Sequence, residues 1–148
     1  ITAAGALAIT GAAKYAIGRA RPPLADAVPP YEMSPSFPSG HTMTAVSLAG
    51  ILAYLLIRHM WDHPLWQRIA VGVVAAVYAL AMGFSRVFLG YHRMTDVLAA
   101  TLLGIAWVGA VIACHVMWRR IRLRDTDDPI EERRKVPMLP RKDASVRG

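Results

Sequence analysis

The chain has 148 residues, 55% of them hydrophobic and only 18% charged. Soluble domains carry about 25% charged residues, so this balance argues against a soluble fold and for a membrane. The net charge of +7 is uneven: residues 119–148 hold ten Lys/Arg and six Asp/Glu, whereas residues 1–118 hold seven cations and four acids, Asp26, Glu32, Asp62 and Asp96.

The chain opens in an apolar run rich in Ala and Gly, residues 1–17. No Met starts it, so the sequence reads as lacking N-terminal material. Residues 21–39 form a long connection with Pro22, Pro23, Pro29, Pro30, Pro35 and Pro38, too many for a helix to continue through. Long connections of this kind are often functional. A second apolar run follows at 42–57. The short connection 59–67 carries Trp61 and Trp66, which suit a lipid–water interface. A third run covers 69–89, a tight turn 90–96, and a fourth run 97–117, where the one cysteine, Cys114, excludes an intrachain disulfide and reads as a small packing residue. Beyond lie Arg119, Arg120, Arg122, Arg124 and a polar tail, whose composition predicts disorder.

A helix needs about 20 apolar residues to cross a bilayer core. The fourth run reaches that alone, and the second and third do so with their flanking turns. Gly5, Gly11, Gly104 and Gly109 would let such helices approach closely in lipid. The expectation is an all-α, polytopic membrane bundle with four transmembrane helices. Residues 1–118 would be the membrane-embedded core and 119–148 a basic, disordered cytoplasmic tail. A soluble bundle is disfavoured because nearly every helix would be apolar all round.

Alternating helices place the Pro-rich loop and the 90–96 turn on one face, and the 59–67 loop and tail on the other. The excess of Lys/Arg expected on the cytoplasmic side puts the tail, with Arg58 and Arg68, in the cytoplasm. Lys14, Arg19, Arg21, Arg86 and Arg93 then stand on the opposite face, against that rule, unless chemistry requires them. Arg19 and Arg93 read equally as binders of a second phosphate or as headgroup contacts.

Lys14 and Arg21 lie seven apart, near two helical turns. Pro38-Ser39-Gly40-His41 leads into the second helix, with Ser39 as its cap; the free N–H groups of Gly40, His41 and Thr42 form an anion site. Ser85 and Arg86 close the third helix. His92 and Asp96 are four apart at the start of the fourth, where Asp96 can accept from one ring nitrogen and leave the other free as a nucleophile. Three cations, a helix N-terminus, a hydroxyl and two histidines describe phosphoryl transfer, in which fixed positive charge meets the oxygens as charge builds. His92 would attack phosphorus; His41 would protonate the leaving oxygen and then activate water.

Lys14 with six residues before Arg21-Pro22, Pro38-Ser39-Gly40-His41, and Ser85-Arg86 with five residues before His92 and three more before Asp96 resemble the three-part signature of the type 2 phosphatidic acid phosphatase superfamily. That superfamily also includes bacterial acid phosphatases and vanadium haloperoxidases. Eleven specified positions occur in order and at the right gaps, over residues 14–118. The resemblance implies a phosphohistidine on His92 oriented by Asp96, His41 as acid and base, and Lys14, Arg21, Ser39, Gly40 and Arg86 as phosphate ligands. It also implies about six spans, two of them N-terminal to those legible here. A bacterial plasma-membrane location follows, with the site on the extracytoplasmic face.

The expected activity is hydrolysis of a lipid phosphate or diphosphate, of isoprenoid diphosphate or phosphatidate type, without cofactor or metal. A phosphoryl or phospho-head-group transferase with the same site is the alternative. A non-catalytic membrane protein would tolerate a broken motif, and this one is intact. His41, His92 and Asp96 could resemble an iron site, but the surrounding cations oppose a metal. Expected partners are the lipid phosphate and membrane lipids, and no nucleic acid, because the Arg-rich tail suits lipid headgroups.

Overall fold

The structure, a computed structural model, describes residues 1–23 and 27–126; these fold into helices with no strand among the described residues. In chain order they are α1 (Thr2–Ile17), α2 (Gly40–His59), α3 (Leu65–Phe88) and α4 (Met94–Thr126). The segment Ile1–Ala113 forms one compact unit; a second begins at Cys114, and its described part is helical.

Helices α2, α3 and the Met94–Leu123 stretch of α4 are long and apolar enough to cross a membrane. Helix α1 has 16 residues, short of the about 20 a span requires, so three of the four expected spans meet the length in this chain. The fourth apolar run does not end near Met117 as read from hydropathy. Helix α4 continues to Thr126, so residues 119–126 of the expected disordered tail are helical. Arginine is a good helix former, and cations near a helix C-terminus complement its dipole. Residues 127–148 of that tail lie outside the described residues.

Ala6 of α1, Met43 of α2 and Ala100 of α4 make the buried centre, with Ile9 and Trp107 against them. Two polar contacts tie α1 in place: the Thr10 hydroxyl donates to Met43 Sδ at 3.1 Å, and Trp107 Nε1–H donates to the Thr2 carbonyl at 3.0 Å. The third helix buries only Gly83. A Cβ there would stand 2.8 Å from a methyl of Val97, so the missing side chain lets the C-terminal end of α3 close on the first turn of α4. Most of its other apolar side chains, including Val73, Val77, Leu80 and Phe84, are exposed. Hydrocarbon is as apolar as these side chains, so a lipid-facing helix need not bury them. Cys114, read as a packing residue, is exposed as well.

The ends of the helices position the site. Gly18 ends α1 in a left-handed conformation (φ 60°), its N–H donating to the Lys14 carbonyl. The chain then runs over the α3–α4 turn and is pinned there by backbone bonds: Val28 N–H to Leu89 O at 3.3 Å, and Ser39 N–H to Asp96 O at 3.2 Å. Ser36 N–H donates back to Arg19 O at 2.8 Å. Prolines remove the donors a regular helix or strand would use, so this loop is held by a few long-range bonds.

Candidate active site

Gly18 places Arg21 beyond α1, so Lys14 and Arg21 do not share a helical face. They converge through the loop instead. Lys14 Nζ donates to Ser34 Oγ at 2.7 Å and to Pro35 O at 2.8 Å. Arg21 Nε donates to Ser34 O at 2.7 Å, and a terminal nitrogen of Arg21 lies 3.1 Å from Ser34 Oγ. The same nitrogen pairs with Glu32 at 2.8 Å. The other terminal nitrogen of Arg21 donates to Tyr91 O at 2.8 Å and lies 3.5 Å from His92 Nε2.

His92 sits in the turn before α4, not on the helix, and is buried. Its backbone N–H donates to Arg86 O at 3.2 Å. Burial first, then the nearby Arg21 guanidinium, lower its imidazole from 6.5 to about 4, because both disfavour a second proton. The ring is therefore neutral at physiological pH, the state a nucleophile requires.

Asp96, in the first turn of α4, is fully buried. Its Oδ1 takes an ion pair from Arg19 at 2.8 Å. Its Oδ2 accepts from Arg93 N–H at 3.0 Å, half of a capping box, and from the Ser36 hydroxyl at 2.5 Å. The expected direct bond to His92 is not formed: Nδ1 and Oδ2 are 3.8 Å apart, beyond hydrogen-bond reach. Helix α4 begins two residues after His92, so the pair does not stand on successive helical turns, and Ser36 Oγ stands beside both, 3.4 Å from His92 Nδ1.

Ser39 is the residue before α2, as expected, and is fully buried, but its side chain makes no capping bond to the backbone. Its hydroxyl accepts from Thr42 Oγ1 at 3.0 Å. The Ser39 carbonyl takes Met43 N–H at 3.0 Å. The amides of Gly40, His41 and Thr42, at the start of the helix, have no acceptor within it. Gly40 packs near Thr10, where a Cβ would meet a methyl at 3.3 Å.

His41 is exposed on the first turn of α2, and no hydrogen bond joins it to the other site residues among the described residues. Arg86 lies 5.6 Å from the Tyr91 ring centre, and its Nε is buried without a hydrogen-bond partner. Ser85 turns back on its own helix, donating to Met82 O at 2.7 Å.

Sequence reasoning missed Ser34, Ser36 and Glu32, and left Arg19 undecided. Arg19 pairs with Asp96 and stacks over Phe37, 4.7 Å from its ring centre. Serines and an acid in a Pro-rich loop carry no spacing signal, because their partners lie up to 60 residues away. No group of three or more His, Cys, Asp or Glu that could hold a metal ion is present among the described residues.

Residues 1–120 match the PAP2 superfamily. The chain is 42% identical over 89 residues to phosphatidylglycerophosphatase B of Bacillus subtilis (strain 168), an alignment covering 60% of this chain and 42% of that protein. It is also similar to the crystal structure of a transmembrane PAP2-type phosphatidylglycerolphosphate phosphatase from Bacillus subtilis, with a TM-score of 0.70 and 33% identity, covering 78% of this chain and 56% of that one. The chain thus spans about half the length of these relatives. The apolar helices and this transmembrane relative identify an integral membrane protein.

Proposed function

Because the chain belongs to the PAP2 superfamily, we propose that it carries the catalytic part of a lipid phosphate phosphatase that works through a phosphohistidine. The observation that carries the reading is the neutral, buried imidazole of His92 with Arg21 3.5 Å from its Nε2. A donor-only guanidinium at that nitrogen marks it as the lone-pair side, and the same cation can grip the oxygens of a phosphoryl group placed for attack.

In the first step the Nε2 lone pair forms the N–P bond as the ester P–O bond breaks. His41, in its imidazolium form, gives its proton to the departing alkoxide, and the lipid leaves as an alcohol. In the second step water attacks phosphorus, His41 takes the water proton, and the N–P bond breaks to release phosphate and restore neutral His92. Lys14, Arg21 and Arg86, with the amides at the start of α2, meet the negative charge that develops on the equatorial oxygens. Arg86 Nε, buried and unbonded, has capacity for that task. The cations supply the positive charge, so no step requires a metal.

The substrate is a glycerophospholipid phosphate monoester of the phosphatidylglycerophosphate type, the class named for both relatives. An isoprenoid diphosphate is the alternative for the same site. The site faces the extracytoplasmic side, since Arg58 and Arg68 flank the α2–α3 connection at the other end of the bundle.

The test is phosphate release from lipid phosphates in detergent, with a denaturing alkaline quench to trap a phosphoenzyme. The unaltered chain is expected to form acid-labile phosphohistidine and to keep its rate in EDTA. His92→Ala is expected to lose both turnover and label. Substantial turnover by His92→Ala would reject covalent catalysis, and loss on chelation that metal restores would reject the cation account.

A further inference from the structure

We infer that Ser36 is a positioning residue through which Asp96 sets the tautomer of His92, an inference that rests on His92 being the nucleophile. A carboxylate that orients an imidazole must accept a hydrogen bond from it, directly or through a group that bridges them. The direct route is open by distance: His92 Nδ1 and Asp96 Oδ2 are 3.8 Å apart. The Ser36 hydroxyl stands beside that pair and bridges it from the side, 2.5 Å from Oδ2 and 3.4 Å from Nδ1.

The proton count decides the direction. A serine hydroxyl has one proton and two lone pairs. Asp96 Oδ2 is an acceptor, and the short contact to it takes that proton. The Ser36 oxygen then presents a lone pair to His92 Nδ1, which must carry the ring proton to be satisfied. On the other side of the ring, Arg21 can only donate, so Nε2 holds the lone pair. The two ends of the imidazole agree: proton on Nδ1, free electron pair on Nε2.

Ser36 is held for this task. It has no solvent exposure, so water does not compete for its hydroxyl. Its backbone N–H is anchored on Arg19 O at 2.8 Å, and the Arg19 side chain reaches the other oxygen of Asp96 at 2.8 Å. A short piece of the loop therefore fixes both the serine and the carboxylate. The remaining Oδ2 donor, Arg93 N–H at 3.0 Å, completes the acceptor set, so Asp96 has no reason to rotate towards the ring.

Two measurements test the relay. The first uses the unaltered chain in detergent with isotope-labelled histidine, and reads the ring-nitrogen chemical shifts of His92, assigned by their loss in His92→Ala. A neutral ring protonated on Nδ1 is expected; a ring protonated on Nε2 overturns the relay. The second compares Ser36→Ala and Ser36→Thr in turnover of a short-chain phosphatidic acid. Ser36→Ala is expected to lose about 10- to 100-fold in kcat, by analogy with groups that orient a metal-ligating imidazole, with KM nearly unchanged, and Ser36→Thr to recover much of it. Wild-type kcat in Ser36→Ala overturns the relay. His92→Ala is run beside them: turnover that survives there sinks the nucleophile reading itself, whereas loss there with full activity in Ser36→Ala sinks only the relay. If Ser36→Ala fails to fold, the tautomer in the unaltered chain decides.

Discussion

Replacing Asp96 by Asn changes one atom and removes one charge, and the consequences can be worked from its partners. The carboxylate accepts three bonds: Arg19 on Oδ1, and Ser36 and Arg93 N–H on Oδ2. An amide has one oxygen and one NH₂. If the NH₂ takes the Oδ1 place, it points at the Arg19 guanidinium and the ion pair is lost. The charged Arg19 donor therefore keeps the amide oxygen at the Oδ1 place, so the NH₂ takes the Oδ2 place and Arg93 N–H loses its acceptor. Ser36 must then accept from the amide and turn its single proton towards His92 Nδ1. That drives the ring proton to Nε2 and removes the nucleophilic pair.

Hydrogen bonds to charged groups contribute about 1.5–3 kcal/mol each, and the partly exposed Arg19 pair is worth less because solvent screens it. Asp96→Asn is therefore expected to cost about 2–4 kcal/mol of stability. It is expected to lower turnover by about three to four orders of magnitude, as when an orienting carboxylate becomes an amide and its imidazole adopts the wrong tautomer. Single-turnover phosphate release together with thermal unfolding in detergent separates the two effects. A folded Asp96→Asn chain that turns over within about tenfold of the unaltered one would refute the reasoning, because such a loss is far below that of a misplaced tautomer.

Four further outcomes are expected. The acid limb of kcat/KM, which reports the free enzyme, should fall near pH 4, not 6.5, because His92 stays neutral down to about 4. By linkage, the unfolded chain binds the proton first, so the His92 contribution to stability declines as pH falls from about 6.5 to about 4 and is level below; pH-dependent denaturant melts read the second effect. Glu32→Gln should lower KM by up to about fivefold with kcat unchanged, since a partly exposed pair is worth roughly 1 kcal/mol at most and the phosphate must displace Glu32 from Arg21; an unchanged KM refutes displacement. Gly83→Ala should lower thermal stability by about 1–3 kcal/mol, because its Cβ would lie 2.8 Å from Val97, whereas Gly11→Ala, with nothing within 4 Å, should not; equal melting of the two variants refutes the close α3–α4 contact.

Hydropathy alone located all four helices, because a long apolar run has few other uses, although α1 is shorter than a span. It misjudged the end of one. Helix α4 outlasts its apolar run, since backbone hydrogen bonds and Arg propensity sustain a helix where hydrophobicity stops. Helix α1 ends at Ile17, where its apolar run was read to end; the left-handed Gly18 stops it before Arg21, so the two-turn spacing from Lys14 had no helix to act through.

Motif spacing made Lys14, Arg21, Ser39, His92 and Asp96 legible as one group, and a web of loop contacts does gather them. The means of gathering was not legible. Whether Asp96 touches His92 directly depends on fractions of an ångström in a turn, and the start of α4 leaves a gap that a serine 56 residues upstream of His92 bridges from the side. Arg19, which spacing left without a part, meets Asp96 across 77 positions. Local sequence dictates where helices can form and which charges are too costly to be idle in lipid. It carries no record of the loop path over the α3–α4 turn, and hydrogen bonds, which act over about 3 Å, are decided by that path.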